Sequence, residues 1–141
     1  MQRYRIMILI LMFMTTAPMG AWTQVSTENP TAVLDLKLGQ ATVCETVREG
    51  VVVNEAVAFS VSLGRVYCYT DFVSVPEKTL TYHVWYQADQ QRASVKLALR
   101  PPRWAVYSYV TLRDKDKGPW RVEITDERGN VLQTLRFSII D

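Results

Sequence analysis

"WRVEITDERGNVLQTLRFSI", residues 120–139, decides how the rest of the chain is read. In its first part Trp120, Val122 and Ile124 alternate with Arg121 and Glu123. In its last part Leu135, Phe137 and Ile139 alternate with Arg136 and Ser138. Successive side chains of an extended strand point to opposite faces, so strict alternation marks a strand covered on one side. Between the two parts, "DERGN" supplies Gly129, which can take the positive φ that a tight hairpin needs. The stretch reads as two antiparallel strands and a turn.

The same period-two pattern recurs upstream. "AVLDLKL" sets Leu34, Leu36 and Leu38 against Asp35 and Lys37, and "VAFSVSL" sets Val57, Phe59, Val61 and Leu63 against Ala58, Ser60 and Ser62. "SVKLALR" turns Val95, Leu97 and Leu99 away from Lys96 and Arg100. "KDKGPW" and "RPPRW" break the chain, and Pro101 and Pro102 exclude a helix there. "QADQQ" and "SVPEKT" are polar connectors. No segment carries a sustained apolar stripe of helical period. The expectation is an all-β domain of seven or eight short antiparallel strands, an immunoglobulin-like β-sandwich, with a small barrel as the alternative.

The N-terminus has a different character. Arg3 and Arg5 precede the apolar run Ile6 to Met14, and small and turn-forming residues follow to Ala21. This is the layout of a secretory signal peptide. The apolar run is about half of the roughly 20 residues a spanning helix needs, so an uncleaved membrane anchor is the secondary reading. The expected organisation is a leader at 1–21, a linker at 22–32 and the β domain at 33–141. Export implies a periplasmic or cell-envelope location.

The full chain carries 16 basic and 14 acidic residues, a formal net charge of +2. Removing Arg3 and Arg5 with the leader brings the remainder to neutrality, which gives no footprint for nucleic acid. That neutrality hides a polarisation. From Arg92 to Arg121 there are eight basic residues, including Lys96, Arg100 and Arg103, against two acidic ones. Such a segment reads first as a solvated face with partly paired charges, as the alternation of "RDKDKG" suggests. It reads second as a patch for an anionic partner: an envelope protein, a polysaccharide or a lipid surface.

Two cysteines remain, Cys44 and Cys68. An even count in a small exported domain reads as one disulfide, and closing a loop of about 25 residues would stabilise the fold by roughly 3 kcal/mol. Their spacing fits no zinc pattern, and His83 is the only imidazole, so no metal or other cofactor is expected. A lone His without a second catalytic group in a recognisable motif reads as structural. Ser94 and Ser108 lack the setting of a nucleophile elbow. Trp85 and Trp120 read as core. The strand "TLTYHVWYQ" places Thr81, His83 and Trp85 on one face and Leu80, Tyr82, Val84 and Tyr86 on the other, and the second set looks like the apolar side.

Taken in order, "VCETV", "RVYCYT", "HVWY", "RW…S" and "GPWRVEITDERGNVL…F" resemble the bacterial proteins grouped as domain of unknown function 2914, from about Leu34 to the C-terminus. The resemblance implies an all-β domain behind an export signal or anchor, with no established activity. By position it singles out Cys44, Cys68, His83, Trp85, Trp104, Ser108, Gly118, Trp120 and Gly129. Members of the family often carry an arginine and a lysine where this chain has Ala105 and Val110.

The functional expectation is a non-catalytic binding module of the cell envelope. Its binding face would comprise Lys96, Arg100, Arg103, Tyr107 and Tyr109, with His83, Trp85, Trp104 and Trp120 structural. A small envelope hydrolase or carbohydrate-active enzyme using His83 is one alternative. A structural accessory domain anchored to the inner membrane is the other.

Overall fold

A computed structural model describes residues 35–141. The expected leader, the linker, Val33 and Leu34 lie outside them. Nine strands are described: β1 (Lys37–Arg48), β2 (Val51–Glu55), β3 (Ala58–Ser60), β4 (Arg65–Ser74), β5 (Thr79–Gln87), β6 (Gln90–Leu99), β7 (Trp104–Thr111), β8 (Gly118–Asp126) and β9 (Val131–Ile140). They form two sheets, a four-stranded one ordered β2-β1-β4-β7 and a five-stranded one ordered β3-β9-β8-β5-β6.

Residues 120–139 form the β8–β9 hairpin. Gly129 takes φ of 87° in its turn, where the Asp126 carboxylate accepts from the backbone N–H of Arg128 and of Asn130. Local hydrogen bonding by a short acidic side chain is what makes such a turn. "QADQQ" closes the β5–β6 hairpin tightly, with Gln87 paired to Gln90 and Ala88 at φ of 51°. The peptide between Pro101 and Pro102 is cis, in the connection from β6 to β7.

The strand count exceeds the seven or eight expected, and two further expectations need correction. "VAFSVSL" is not one strand: β3 ends at Ser60, and Val61–Leu63 is a turn of 3₁₀ helix capped by the Ser60 hydroxyl and ended by Gly64 in the left-handed region. Nor is all pairing antiparallel, because β3 runs parallel to β9, with Phe59 beside Ile139. In the first run of alternation, Asp35 and Leu36 precede the strand, which begins at Lys37.

Both sheets contribute to a single core. Val43, Val66, Cys68, Phe72 and Val110 come from the four-stranded sheet. Trp85, Leu99, Trp120, Val122, Ile124, Phe137 and Ile139 come from the five-stranded one. Phe137 lies at its centre, stacked on Trp120 and meeting Trp85 and Phe59 edge-on. Edge and offset contacts of this kind add to the area that aromatic rings bury.

Candidate functional site

The buried side of β5 is Thr79, Thr81, His83 and Trp85, the more polar of its two faces. The set Leu80, Tyr82, Val84 and Tyr86, read above as the apolar side, is only half-buried and faces outward. The inversion has a cause. His83 Nδ1 lies 2.8 Å from Ser108 Oγ on β7, and Nε2 lies 3.1 Å from Thr70 Oγ1 on β4. Trp85 Nε1 donates to the same Ser108 hydroxyl at 3.1 Å, and Thr70 Oγ1 donates to the Val106 carbonyl at 3.4 Å. Buried polar groups are tolerated when each finds its partner.

This network closes only around a neutral imidazole. Trp85 gives its proton to Ser108, which leaves the Ser108 proton for Nδ1. The proton on Nε2 then goes to Thr70, and the Thr70 proton to the carbonyl. That tautomer follows from the pattern of partners. A second proton, on Nδ1, would make the Ser108 hydroxyl accept twice and leave its own proton without the acceptor that Nδ1 provides. Burial accordingly lowers the His83 pKa to about 4. Ser108 and His83 have the contact of a nucleophile and base, but both are buried, and neither lines the surface cleft described below.

The outward face of the four-stranded sheet is aromatic. Opposed residues share a face in an antiparallel pair. Tyr67 is opposite Tyr109 and Tyr69 opposite Tyr107, so four tyrosines form a two-by-two block on β4 and β7. The Tyr67 ring is 5.3 Å from that of Tyr109 and 6.2 Å from that of Tyr107. Tyr107 and Tyr109 are 50% and 46% exposed, a large open area for aromatic side chains in strands. The Arg65 guanidinium lies over the Tyr109 ring, 4.8 Å from its centroid. Cations hold to the negative face of an aromatic ring in this way.

Next to Tyr109, where edge strands β6 and β7 approach one another, lies a cleft of about 280 Å³ lined by Arg92, Tyr109, Thr111, Arg113, Asp116 and Trp120, among others. Asp116, buried in the turn of 3₁₀ helix between β7 and β8, fixes one wall. Its carboxylate takes Arg92 Nη2 at 3.3 Å and the Arg113 backbone N–H at 2.8 Å, and its carbonyl accepts from Trp120 Nε1 at 2.7 Å. The Arg113 guanidinium makes no salt bridge among the described residues.

The five residues expected to form one binding face do not. Tyr107 and Tyr109 belong to the tyrosine block. Lys96 faces outward from the other sheet, opposite Tyr82. Arg100 lies 5.5 Å from the centroid of Trp104. Arg103 is spent on Asp71, to which its Nε donates at 3.1 Å and its Nη2 also donates. The basic segment spans β6, β7 and β8, which alternate between two sheets, so closeness in sequence disperses in space. Tyr67, Tyr69, Arg65 and Arg113 are the residues sequence reasoning missed. The signal for the first three was the alternation of "RVYCYTDF", with Arg65, Tyr67 and Tyr69 in one phase.

Trp85 and Trp120 are in the core, but Trp104 is not buried: it opens β7 and remains 38% exposed. The expected Cys44–Cys68 disulfide is absent, and both thiols are free and buried. On the β1–β4 ladder Val43 is opposite Cys68 and Cys44 opposite Tyr67. The two cysteines are therefore one residue out of phase and project to opposite faces, Cys68 into the core and Cys44 to the tyrosine side. Burial pushes both thiols up from their usual pKa. Of the two departures from the family's residues, Ala105 sits directly across from Asp71 and Val110 is buried in the core. Among the described residues no group of three or more His, Cys, Asp or Glu could hold a metal ion.

Residues 78–139 match a family described as "Protein of unknown function (DUF2914)", so the resemblance is shown over that span, from β5 through β9. Cys44 and Cys68 lie before it. A search of curated proteins found no match.

Proposed function

We propose that this chain, whose residues 78–139 match a family of unknown function, is a non-catalytic binding module of the bacterial cell envelope. In this reading the two sheets are the layers of an immunoglobulin-like sandwich, carried across the inner membrane by the leader at 1–21. The outward face of the four-stranded sheet is its contact surface. The observation that carries the reading is the block of Tyr67, Tyr69, Tyr107 and Tyr109 with Arg65 over one ring. Tyrosine offers a rigid apolar ring with a polar tip and loses little side-chain entropy on binding. Exposed aromatic clusters beside cations are where interaction energy concentrates.

The test is sedimentation of the protein with isolated envelope fractions over a range of salt. Tyr107→Ser with Tyr109→Ser should abolish association, and the native fold should persist because both rings are half exposed. Equal association of this variant and the parent would refute the reading.

One observation favours a second reading, a small hydrolase: the 2.8 Å contact of Ser108 Oγ with His83 Nδ1. It requires the sheets to part enough to admit substrate. A turnover of small esters that His83→Gln removes would establish it in place of the first.

A further inference from the structure

We infer that the cleft beside Tyr109 is a subsite for a carboxylate-bearing sugar of an acidic polysaccharide, whose neighbouring rings lie along Tyr109 and Tyr107. The inference rests on the tyrosine face being the contact surface and adds the charge and class of what it contacts.

Three features of the site select this ligand. Two guanidinium groups and one carboxylate line it, Arg92, Arg113 and Asp116, which leaves one net positive charge for a monoanion. Asp116 is buried and holds Arg92, so that arginine is pre-set, whereas Arg113 keeps its donors for a ligand. A guanidinium meets a carboxylate through two parallel N–H···O bonds, the geometry an acidic sugar supplies. The size of the cleft, about 280 Å³, is just below the usual range of ligand pockets and suits one ring-sized group.

The surroundings fix the direction of the chain. Across the sheet, away from β7, the outward positions pass from Thr42 to Glu55, which accepts the Thr42 hydroxyl at 2.9 Å. An anionic chain running that way would meet a carboxylate. Along β7 it meets Tyr109 and Tyr107, flat surfaces with polar tips, and Arg65 beside them. A lipid surface or an acidic peptide would use the guanidinium groups without needing a concave, ring-sized seat between them.

The probe is tetragalacturonate, with a neutral glucose tetrasaccharide, polyglutamate and vesicles containing anionic lipid as comparisons, titrated calorimetrically into the full chain. Tetragalacturonate alone should bind at millimolar concentration or below. Arg113→Ala should weaken it about tenfold or more, as loss of a charge-assisted contact does. Arg136→Ala, an exposed cation on β9, should leave it unchanged. Circular dichroism of Arg113→Ala should be that of the parent, because that side chain makes no salt bridge among the described residues.

No binding of tetragalacturonate, or equal binding of the neutral tetrasaccharide, would overturn the inference. So would equal binding of polyglutamate or the vesicles. If Tyr107→Ser abolishes envelope association while Arg113→Ala changes nothing, the tyrosine surface stands and the acidic subsite falls. If Arg113→Ala weakens the tetrasaccharide and Tyr107→Ser does not, the cleft stands without the tyrosine face.

Discussion

His83 is the only histidine in the chain, so its protonation can be read in the stability of the whole domain. Burial lowers its pKa from an ordinary 6.5 to about 4 in the folded state. The unfolded chain therefore takes up the proton first. Between the two pKa values it binds about one more proton than the native state, so stability falls as pH falls through that window. Each pKa unit is worth about 1.4 kcal/mol. From pH 7 to pH 5 the loss should come to about 2 kcal/mol, and near pH 4 to about 3 kcal/mol. Urea unfolding at pH 7, 6 and 5 measures this directly, above the range where carboxylates dominate. The variant His83→Gln should be less stable than the parent at pH 7 and should show little slope between pH 7 and pH 5. Should that variant prove too unstable to fold, the imidazole C–H resonance of the parent gives the same answer: it should begin to shift only below about pH 5. A parent with equal stability at pH 7 and pH 5, or a native imidazole titrating near 6.5, would refute the closed network.

Two further outcomes follow from the phases of the strands. Protein purified without reductant should show two thiols in denaturant and almost none to a thiol reagent when folded, since Cys44 and Cys68 are free and buried; a mass two hydrogens short would restore the disulfide. Trp120→Ala should cost about 3–5 kcal/mol by emptying a core position against Phe137, while Trp104→Ala should cost distinctly less, and paired chemical denaturation curves would expose the opposite order.

Local alternation was enough to read β8, β9 and most of β6, because each is covered on one side by apolar residues and exposes charges on the other. It misled at β5. There the buried face carries two threonines and the histidine, made acceptable by partners on β4, β7 and β8 that no local window includes. It misled again at Cys44 and Cys68, where two strand-like surroundings suggested a bond that the register forbids. The candidate site was half legible. Tyr107 and Tyr109 could be seen to point outward, but their meeting with Tyr67 and Tyr69 depends on β4 pairing with β7 across some forty residues. The basic segment showed the opposite failure, since chain proximity says little once consecutive strands switch sheets.

The bonds around His83 join positions 13, 23, 25 and 36 residues apart. None can form within a single hairpin. While the sheets are apart, water satisfies the imidazole, the indole and both hydroxyls equally well, so nothing draws these groups together early. Their mutual satisfaction arrives only when β4, β5 and β7 have docked. Contacts of that kind are absent from an early folding nucleus and act instead on escape from the native state. The network should thus act on how long the folded domain lasts more than on how fast it assembles. In the cell-envelope location proposed above, away from the cytoplasmic folding machinery, lifetime would be the more useful quantity.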